Sequence, residues 1–167
     1  MPILPEGKAV RYTLQHKKSG FITLLVVLFS LSVYTFITGF ILYKYLSDSL
    51  FPNDIVLQIN GNPDIFMEGM ELLQIIEMLH IEGFLLSMLF LTVFSINLRT
   101  LLPENLKVLL IMAGFISTGF YLLALFGIKY ISQLWGYVYT AGLLLSSFIL
   151  ATVNTVNLYS FITGKLK

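Results

Sequence analysis

The sequence predicts an all-α integral membrane protein: a four-helix bundle that runs up-down-up-down, with both termini in the cytoplasm. Three observations lead to this prediction. Of the 167 residues, 57% are hydrophobic and only 11% are charged, whereas soluble domains carry about 25% charged residues. The apolar residues form four long runs, and the basic residues cluster on one side of these runs. A soluble domain of this length cannot bury so much apolar surface.

The same composition excludes several classes of function. A net charge of +1 provides no basic surface for nucleic acid. The chain contains no cysteine, which excludes disulfides, thiolate catalysis, iron–sulfur clusters and cysteine-ligated zinc. Because the sequence also contains no phosphate-binding glycine loop and no Ser-His-Asp set, it favours a protein that is not an enzyme.

Each of the four runs is long enough to cross a hydrocarbon core of about 30 Å at about 1.5 Å per residue. The runs are apolar all round, which is typical of membrane helices rather than of barrel strands. We divide the chain into a basic cytoplasmic N-terminal segment, residues 1–19, and a single transmembrane domain, residues 20–167. The predicted spans cover about 20–45, 71–99, 105–128 and 132–162, with an outer loop at 46–70.

The distribution of lysine and arginine predicts the orientation, because these residues are enriched in cytoplasmic loops. Eight of the ten lie before the first span, at or between the adjoining ends of the second and third, or after the fourth. Only Lys44 and Lys129 lie on the opposite side. This pattern predicts a multi-pass protein of a prokaryotic inner membrane. Aromatic residues of the outer membrane interface are Tyr43, Tyr45, Tyr130, Trp135, Tyr137 and Tyr139.

The outer loop contains two local patterns. The apolar run Ile55 to Ile59 predicts either a short extended segment over the outer mouth of the bundle or an irregular loop on the membrane surface. The sequence Asn62-Pro63-Asp64 is typical of a helix start, with a capping side chain, a proline and an acid in the first turn. We therefore expect the second helix to begin near Pro63, outside the bilayer.

Three ionisable residues interrupt the second span: Glu77, His80 and Glu82. Such residues are costly inside a membrane and usually face protein or water. Counted from Arg99 at about 1.5 Å per residue, they lie in the outer third of the membrane or at its edge. Glu77 and His80 share one helix face, whereas Glu82 points roughly the other way. A four-helix bundle can bury only one of these two faces well.

Carboxylate and imidazole groups bind divalent transition metals, so Glu77, His80 and Glu82 form a candidate metal site. His80 is also a candidate ligand of haem b. The structural alternative places Glu77 among the lipid headgroups and gives His80 a hydrogen bond to a tyrosine or a backbone carbonyl. In that alternative Glu82 pairs with Lys129 or Lys44.

The fourth span carries small and polar residues at alternating steps of three and four. Such a stripe is typical of helix packing in lipid, because small residues allow close approach and amides form hydrogen bonds across helices. A polar lining for a solute path is the alternative. The residues of the predicted packing stripe are Gln133, Tyr137, Thr140, Ser147 and Asn154.

The polar faces exceed what four helices can satisfy, so we expect other membrane subunits or further copies of this chain to cover them. The predicted function is that of a non-enzymatic subunit or accessory component of a larger membrane complex, such as a respiratory or electron-transfer complex. A haem- or metal-binding membrane protein that uses His80 with Glu77 is one alternative. A small oligomeric channel or carrier is another.

Overall fold

Four long helices form the bundle, and a short helical segment covers one end of it. The computed structural model describes residues 20–100 and 102–163; the predicted basic segment 1–19 lies outside them. All four long helices are long and apolar enough to cross a membrane. The predicted four-helix membrane fold is therefore confirmed. In chain order the elements are α1 (Gly20–Leu46), α2 (Pro52–Asn60), β1 (Gly61–Asn62), a 3₁₀ helix (Pro63–Ile65), β2 (Met67–Glu68), α3 (Leu72–Asn97), α4 (Glu104–Tyr130) and α5 (Trp135–Ile162).

The helix α5 lies at the centre of the bundle. It packs against α1, α3 and α4, and its interface with α4 is the most extensive. Gly142 makes this interface close, because a Cβ atom there would lie 2.9 Å from both the Ser117 carbonyl oxygen and the Tyr121 amide nitrogen. Glycine thus allows the two backbones to touch. Apolar side chains in the core include Val33, Phe90, Val93, Leu125, Leu143 and Leu150.

The outer surface of the bundle is apolar. Large side chains such as Leu31, Phe84, Leu109 and Phe148 are more than half exposed. In a soluble protein this surface would promote aggregation, but lipid tails are as apolar as leucine. The chain therefore has two apolar environments, a packed core and a lipid-facing surface.

Residues 55–59 form part of α2, so both expectations for this run, an extended segment or an irregular loop, are wrong. Ile55, Val56 and Ile59 are buried, and α2 packs against α4 and α5. These positions fall on one face of a helix, and Pro52 occupies the first turn, where proline is tolerated. A five-residue apolar run fits strand and helix periods equally well, and the surface it packs against decides between them.

The helix predicted to start at Pro63 stops after one turn. The Asn62 side chain accepts a hydrogen bond from the Asp64 amide at 3.0 Å, so the local capping prediction is confirmed. The chain then turns at Phe66, whose φ is 55°, and β1 pairs with β2 as a two-residue antiparallel ladder. The second membrane helix, α3, begins only at Leu72.

Candidate functional site

A buried ion pair joins α1 to α3. Lys44 Nζ lies 2.5 Å from Glu82 Oε1, and the two residues are 1% and 7% exposed. Lys44 lies close to the end of α1, whereas Glu82 lies about 15 Å from the start of α3 at about 1.5 Å per residue. Each charge thus has a partner of opposite sign, which a buried charge requires.

Two tyrosines complete this cluster. The Tyr121 hydroxyl donates a hydrogen bond to Glu82 Oε2, and the Tyr139 hydroxyl lies 3.5 Å from the Tyr121 hydroxyl. The two rings are fully buried, with centroids 4.8 Å apart. Lys44 Nζ lies 5.5 Å from the Phe40 ring centroid, 5.9 Å from that of Tyr121 and 5.8 Å from that of Tyr139, within cation–π range. We call Lys44, Glu82, Tyr121 and Tyr139 the buried tetrad.

The buried tetrad lies at the end of the bundle that α2 covers. The Thr140 hydroxyl donates to the Leu50 carbonyl oxygen at 2.8 Å, just before α2 begins. Gly136 approaches α2 so closely that a Cβ atom there would lie 2.6 Å from the Pro52 carbonyl oxygen. These contacts hold the start of α2 and the residues just before it against the first turns of α5, on both sides of Tyr139.

The predicted partners of Glu82 were Lys129 and Lys44, and the structure selects Lys44. Lys129 instead donates to the Ile59 carbonyl oxygen at 3.1 Å. Glu77 and His80 point out of the bundle while Glu82 points in, because at about 100° per residue Glu82 is rotated by about 140° from Glu77 and about 200° from His80. The three candidate metal ligands therefore do not converge within one chain. Among the residues that the structure describes, no group of three His, Asp or Glu residues is placed to hold a metal ion.

Glu77 and His80, which we call the α3 patch, lie exposed on the outer surface of α3. The helix has 26 residues and is about 39 Å long, so about 9 Å of an upright helix exceed a 30 Å core. His80 lies about 12 Å from the start of α3. Even if the whole excess projects at this end, the imidazole reaches hydrocarbon and Glu77 lies near its boundary.

The predicted packing stripe on α5 has three different environments. Asn154 is buried and donates to a backbone carbonyl of α1 at 3.1 Å. Thr140 and Ser147 are half-buried, whereas Gln133 and Tyr137 are exposed. The close approach of α4 and α5 turns a neighbouring face inward. Its buried residues are Gly136, Tyr139, Gly142, Leu143, Ser146, Ile149, Leu150, Val153 and Asn157.

Comparison with known families identifies the class of domain. The Aq_1264_TM family of transmembrane helical domains matches residues 49–167. The chain belongs to this family. No curated protein sequence and no solved structure matches the chain.

The chain is thus a small multi-pass membrane protein with an Aq_1264_TM domain. The matched segment begins after α1 and includes α2, α3, α4 and α5. The matched residues therefore include Glu82, Tyr121 and Tyr139, whereas Lys44 and Phe40 lie on α1, before the matched residues. The buried tetrad joins the domain to α1.

The sequence does not single out the two tyrosines as partners of Glu82. Tyr139 is one of the aromatic residues predicted to lie at the outer membrane interface, yet it is fully buried. A signal for its burial is present: Gly136 and Gly142 lie three residues to either side and share its helix face. A face with two glycines is typical of close helix packing. Tyr121 shares a face of α4 with Gly114, Ser117 and Thr118, which are buried as well.

Proposed function

We propose that the protein is a non-enzymatic subunit or accessory component of a larger membrane complex. The α3 patch carries this proposal, because Glu77 and His80 lie on the outside of the bundle at membrane depth. Ionisable side chains in membrane helices almost always face protein or water. Their cost is about 2.5–3.5 kcal/mol at the centre of the bilayer and decreases toward the edge, where the α3 patch lies. A partner subunit that covers the patch removes much of this cost.

The partner that fits the α3 patch is a transmembrane helix with a basic or hydrogen-bond-donating side chain at the same depth. The Glu77 carboxylate accepts hydrogen bonds, and the His80 imidazole can donate one and accept one. Phe84 follows one turn later and is 61% exposed, so apolar packing can surround the polar contact. Interhelical hydrogen bonds in membranes contribute only about 0.6 kcal/mol on average. In this arrangement Glu77 and His80 determine which helix binds, and the apolar surface around the α3 patch contributes most of the contact area.

Purification in mild detergent, followed by native mass spectrometry, tests the proposal. We expect the wild-type protein to purify with a different membrane protein at a fixed ratio. The double variant Glu77→Leu/His80→Leu should lose that partner and remain folded, since neither side chain supports the core. Thr92→Val/Ser95→Ala is the matched control. Both control residues lie exposed on α3 toward its other end and bond only to its own backbone, so the complex should persist.

Three results would contradict the proposal. The first is a wild-type protein that is stable only as a monomer. The second is an assembly that contains only copies of this chain. The third is a wild-type chromophore or metal ion that is lost in a His80→Phe variant while any assembly persists, because this would make His80 a ligand rather than a docking residue. Absorption spectra and metal analysis of the same preparations distinguish this case.

We also propose that the protein lies in a prokaryotic inner membrane with both termini in the cytoplasm. The supporting observation is the distribution of charge along the sequence. Arg99 lies just after α3 and Lys107 in the first turn of α4, at the end of the bundle opposite α2. Most of the remaining basic residues lie in the chain segments before α1 and after α5. Because basic residues are enriched in cytoplasmic loops, this distribution supports a cytoplasmic location for that end and an outer location for α2.

A further inference from the structure

The surroundings of the Lys44 ammonium group are those of a cation-binding site. A carboxylate contacts the ammonium, and three aromatic rings lie within 5.9 Å of Nζ. A carboxylate gives a charge-assisted hydrogen bond, and aromatic rings attract a desolvated cation with their negative faces. Carboxylates and aromatic rings are also what proteins use to bind amine ligands from solution. Here the cation comes from the same chain.

The two halves of this site come from different parts of the molecule. Glu82, Tyr121 and Tyr139 lie on α3, α4 and α5, within the matched domain at 49–167. The Tyr121 hydroxyl holds the second oxygen of the Glu82 carboxylate, and Gly142 brings the backbone of α5 against that of Tyr121. The carboxylate and its two tyrosines are thus positioned by contacts among α3, α4 and α5. Lys44 enters from α1, which precedes the domain.

Stability alone gives no reason for a charged pair at this position. Replacing a buried ion pair by apolar residues of similar volume is often neutral or stabilising. A buried pair does, however, distinguish a cation from any other occupant, because a neutral group would leave the carboxylate without its counter-charge. The arrangement therefore selects an ammonium group rather than an apolar one.

We propose that Glu82, Tyr121 and Tyr139 form a binding site for a primary ammonium group, and that Lys44 is its tethered ligand. The binding of the Lys44 ammonium group at one end of the bundle then fixes the position of α1 relative to α3, α4 and α5. The other polar contacts of α1 with α5 involve no charge: the Asn154 amide donates to the Ser30 carbonyl oxygen, and the Tyr34 hydroxyl lies 2.7 Å from the Thr155 hydroxyl. This inference does not depend on the α3 patch or on any partner subunit.

Chemical rescue tests the site in the full-length protein. Lys44→Ala removes three methylene groups and the ammonium, which together correspond to n-propylammonium. We expect the melting temperature of purified Lys44→Ala to fall below that of the wild type. Adding n-propylammonium should raise it in a saturable manner, because a ligand that binds only the folded state stabilises that state. Propan-1-ol, which has the same chain length and no charge, should not raise it.

Two proteins serve as controls for the rescue. The wild type, whose site is filled, and the double variant Lys44→Ala/Glu82→Gln, whose carboxylate is gone, should show no saturable response to n-propylammonium. All samples contain the same detergent, so non-specific partitioning of the amine affects them equally. Tetramethylammonium cannot donate a hydrogen bond to Glu82 and should stabilise Lys44→Ala less than n-propylammonium does.

The rescue also has a defined outcome if Lys44→Ala does not fold unaided. In that case n-propylammonium, but not propan-1-ol, should increase the fraction that elutes as folded protein in size-exclusion chromatography. The proposal is overturned if n-propylammonium has no effect in either assay. It is also overturned if propan-1-ol acts equally well, or if Lys44→Ala/Glu82→Gln responds like Lys44→Ala.

Discussion

Lys44 and Glu82 carry opposite charges into a bundle whose other buried side chains are mostly apolar. Removing one partner of such a pair leaves an uncompensated charge and costs about 3–5 kcal/mol. We expect Lys44→Met to lower the free energy of unfolding in detergent by this amount. Lys44→Met/Glu82→Met should recover most of the loss, because it removes both charges and retains the volume. The fluorescence of the single tryptophan, Trp135, reports unfolding.

Lys129→Met is the matched control for this cycle. Its ammonium donates to a backbone carbonyl on α2, and this change leaves no carboxylate without a partner. A hydrogen bond that involves a charged group contributes about 1.5–3 kcal/mol, so the loss should be smaller than for Lys44→Met. Equal losses for Lys44→Met and the double variant would contradict the coupling of Lys44 to Glu82.

The sequence predicts that Glu82 pairs with a lysine, but it predicts neither which lysine nor the two tyrosines of the buried tetrad. A glutamate in a membrane span must find a partner, and that argument correctly leads to Glu82 and a lysine. The choice between Lys44 and Lys129 depends on how far α3 extends beyond the end of α1. This offset between two helices is set by tertiary packing, so counting residues along α3 from Arg99 does not predict it. The tyrosine partners depend on the rotation of α4 and α5, which Gly142 helps to fix.

The interface between α4 and α5 depends on the absence of side chains at a few positions. Gly142→Ala places a methyl group 2.9 Å from two backbone atoms of α4, and overpacking of this kind costs about 1–3 kcal/mol. Gly119→Ala is the matched control on α4, where a Cβ atom meets nothing within 4 Å. Alanine is favoured over glycine in helices by about 0.5–1 kcal/mol. Thermal melting in detergent should therefore show a loss for Gly142→Ala and no loss for Gly119→Ala.

A lower melting temperature for Gly119→Ala than for Gly142→Ala would contradict this account of the interface. The comparison also separates packing from helix propensity, since both changes add the same methyl group to a membrane helix. If propensity dominated, both variants would gain stability. The structure predicts opposite signs.

Long elements and short elements differ in how far sequence alone predicts them. The four long helices follow from run length and composition, because lipid leaves a spanning backbone few alternatives to a helix. The short helix α2 does not follow, because its apolar face is defined only by the ends of α4 and α5 beneath it. For the segment from Pro63 to Glu71, the predicted cap at Asn62 is confirmed, but the prediction that a long helix continues from it is wrong. Phe66 reverses the chain there with a positive φ.

Two polar regions on α3 have different consequences for the whole molecule. The buried tetrad is satisfied within one chain and connects α1 to the Aq_1264_TM domain. The α3 patch is exposed on the surface, and it is the basis of the proposed partner. The sequence predicts that the ionisable residues of the second span lie on two faces of the helix and that only one face is buried. In the structure Glu82 is buried, whereas Glu77 and His80 are exposed.

The orientation of the bundle in the membrane can be tested at its two ends, because the chain has no native cysteine. Asn53 is exposed on α2, and Thr163 is exposed at the end of α5; these residues lie at opposite ends of the bundle. We expect an impermeant thiol reagent to label Asn53→Cys in intact cells, because α2 is predicted to lie on the outer side. Thr163→Cys should react only after the membrane is permeabilised. Labelling of Thr163→Cys but not Asn53→Cys in intact cells would reverse the orientation, and the basic residues would then lie outside.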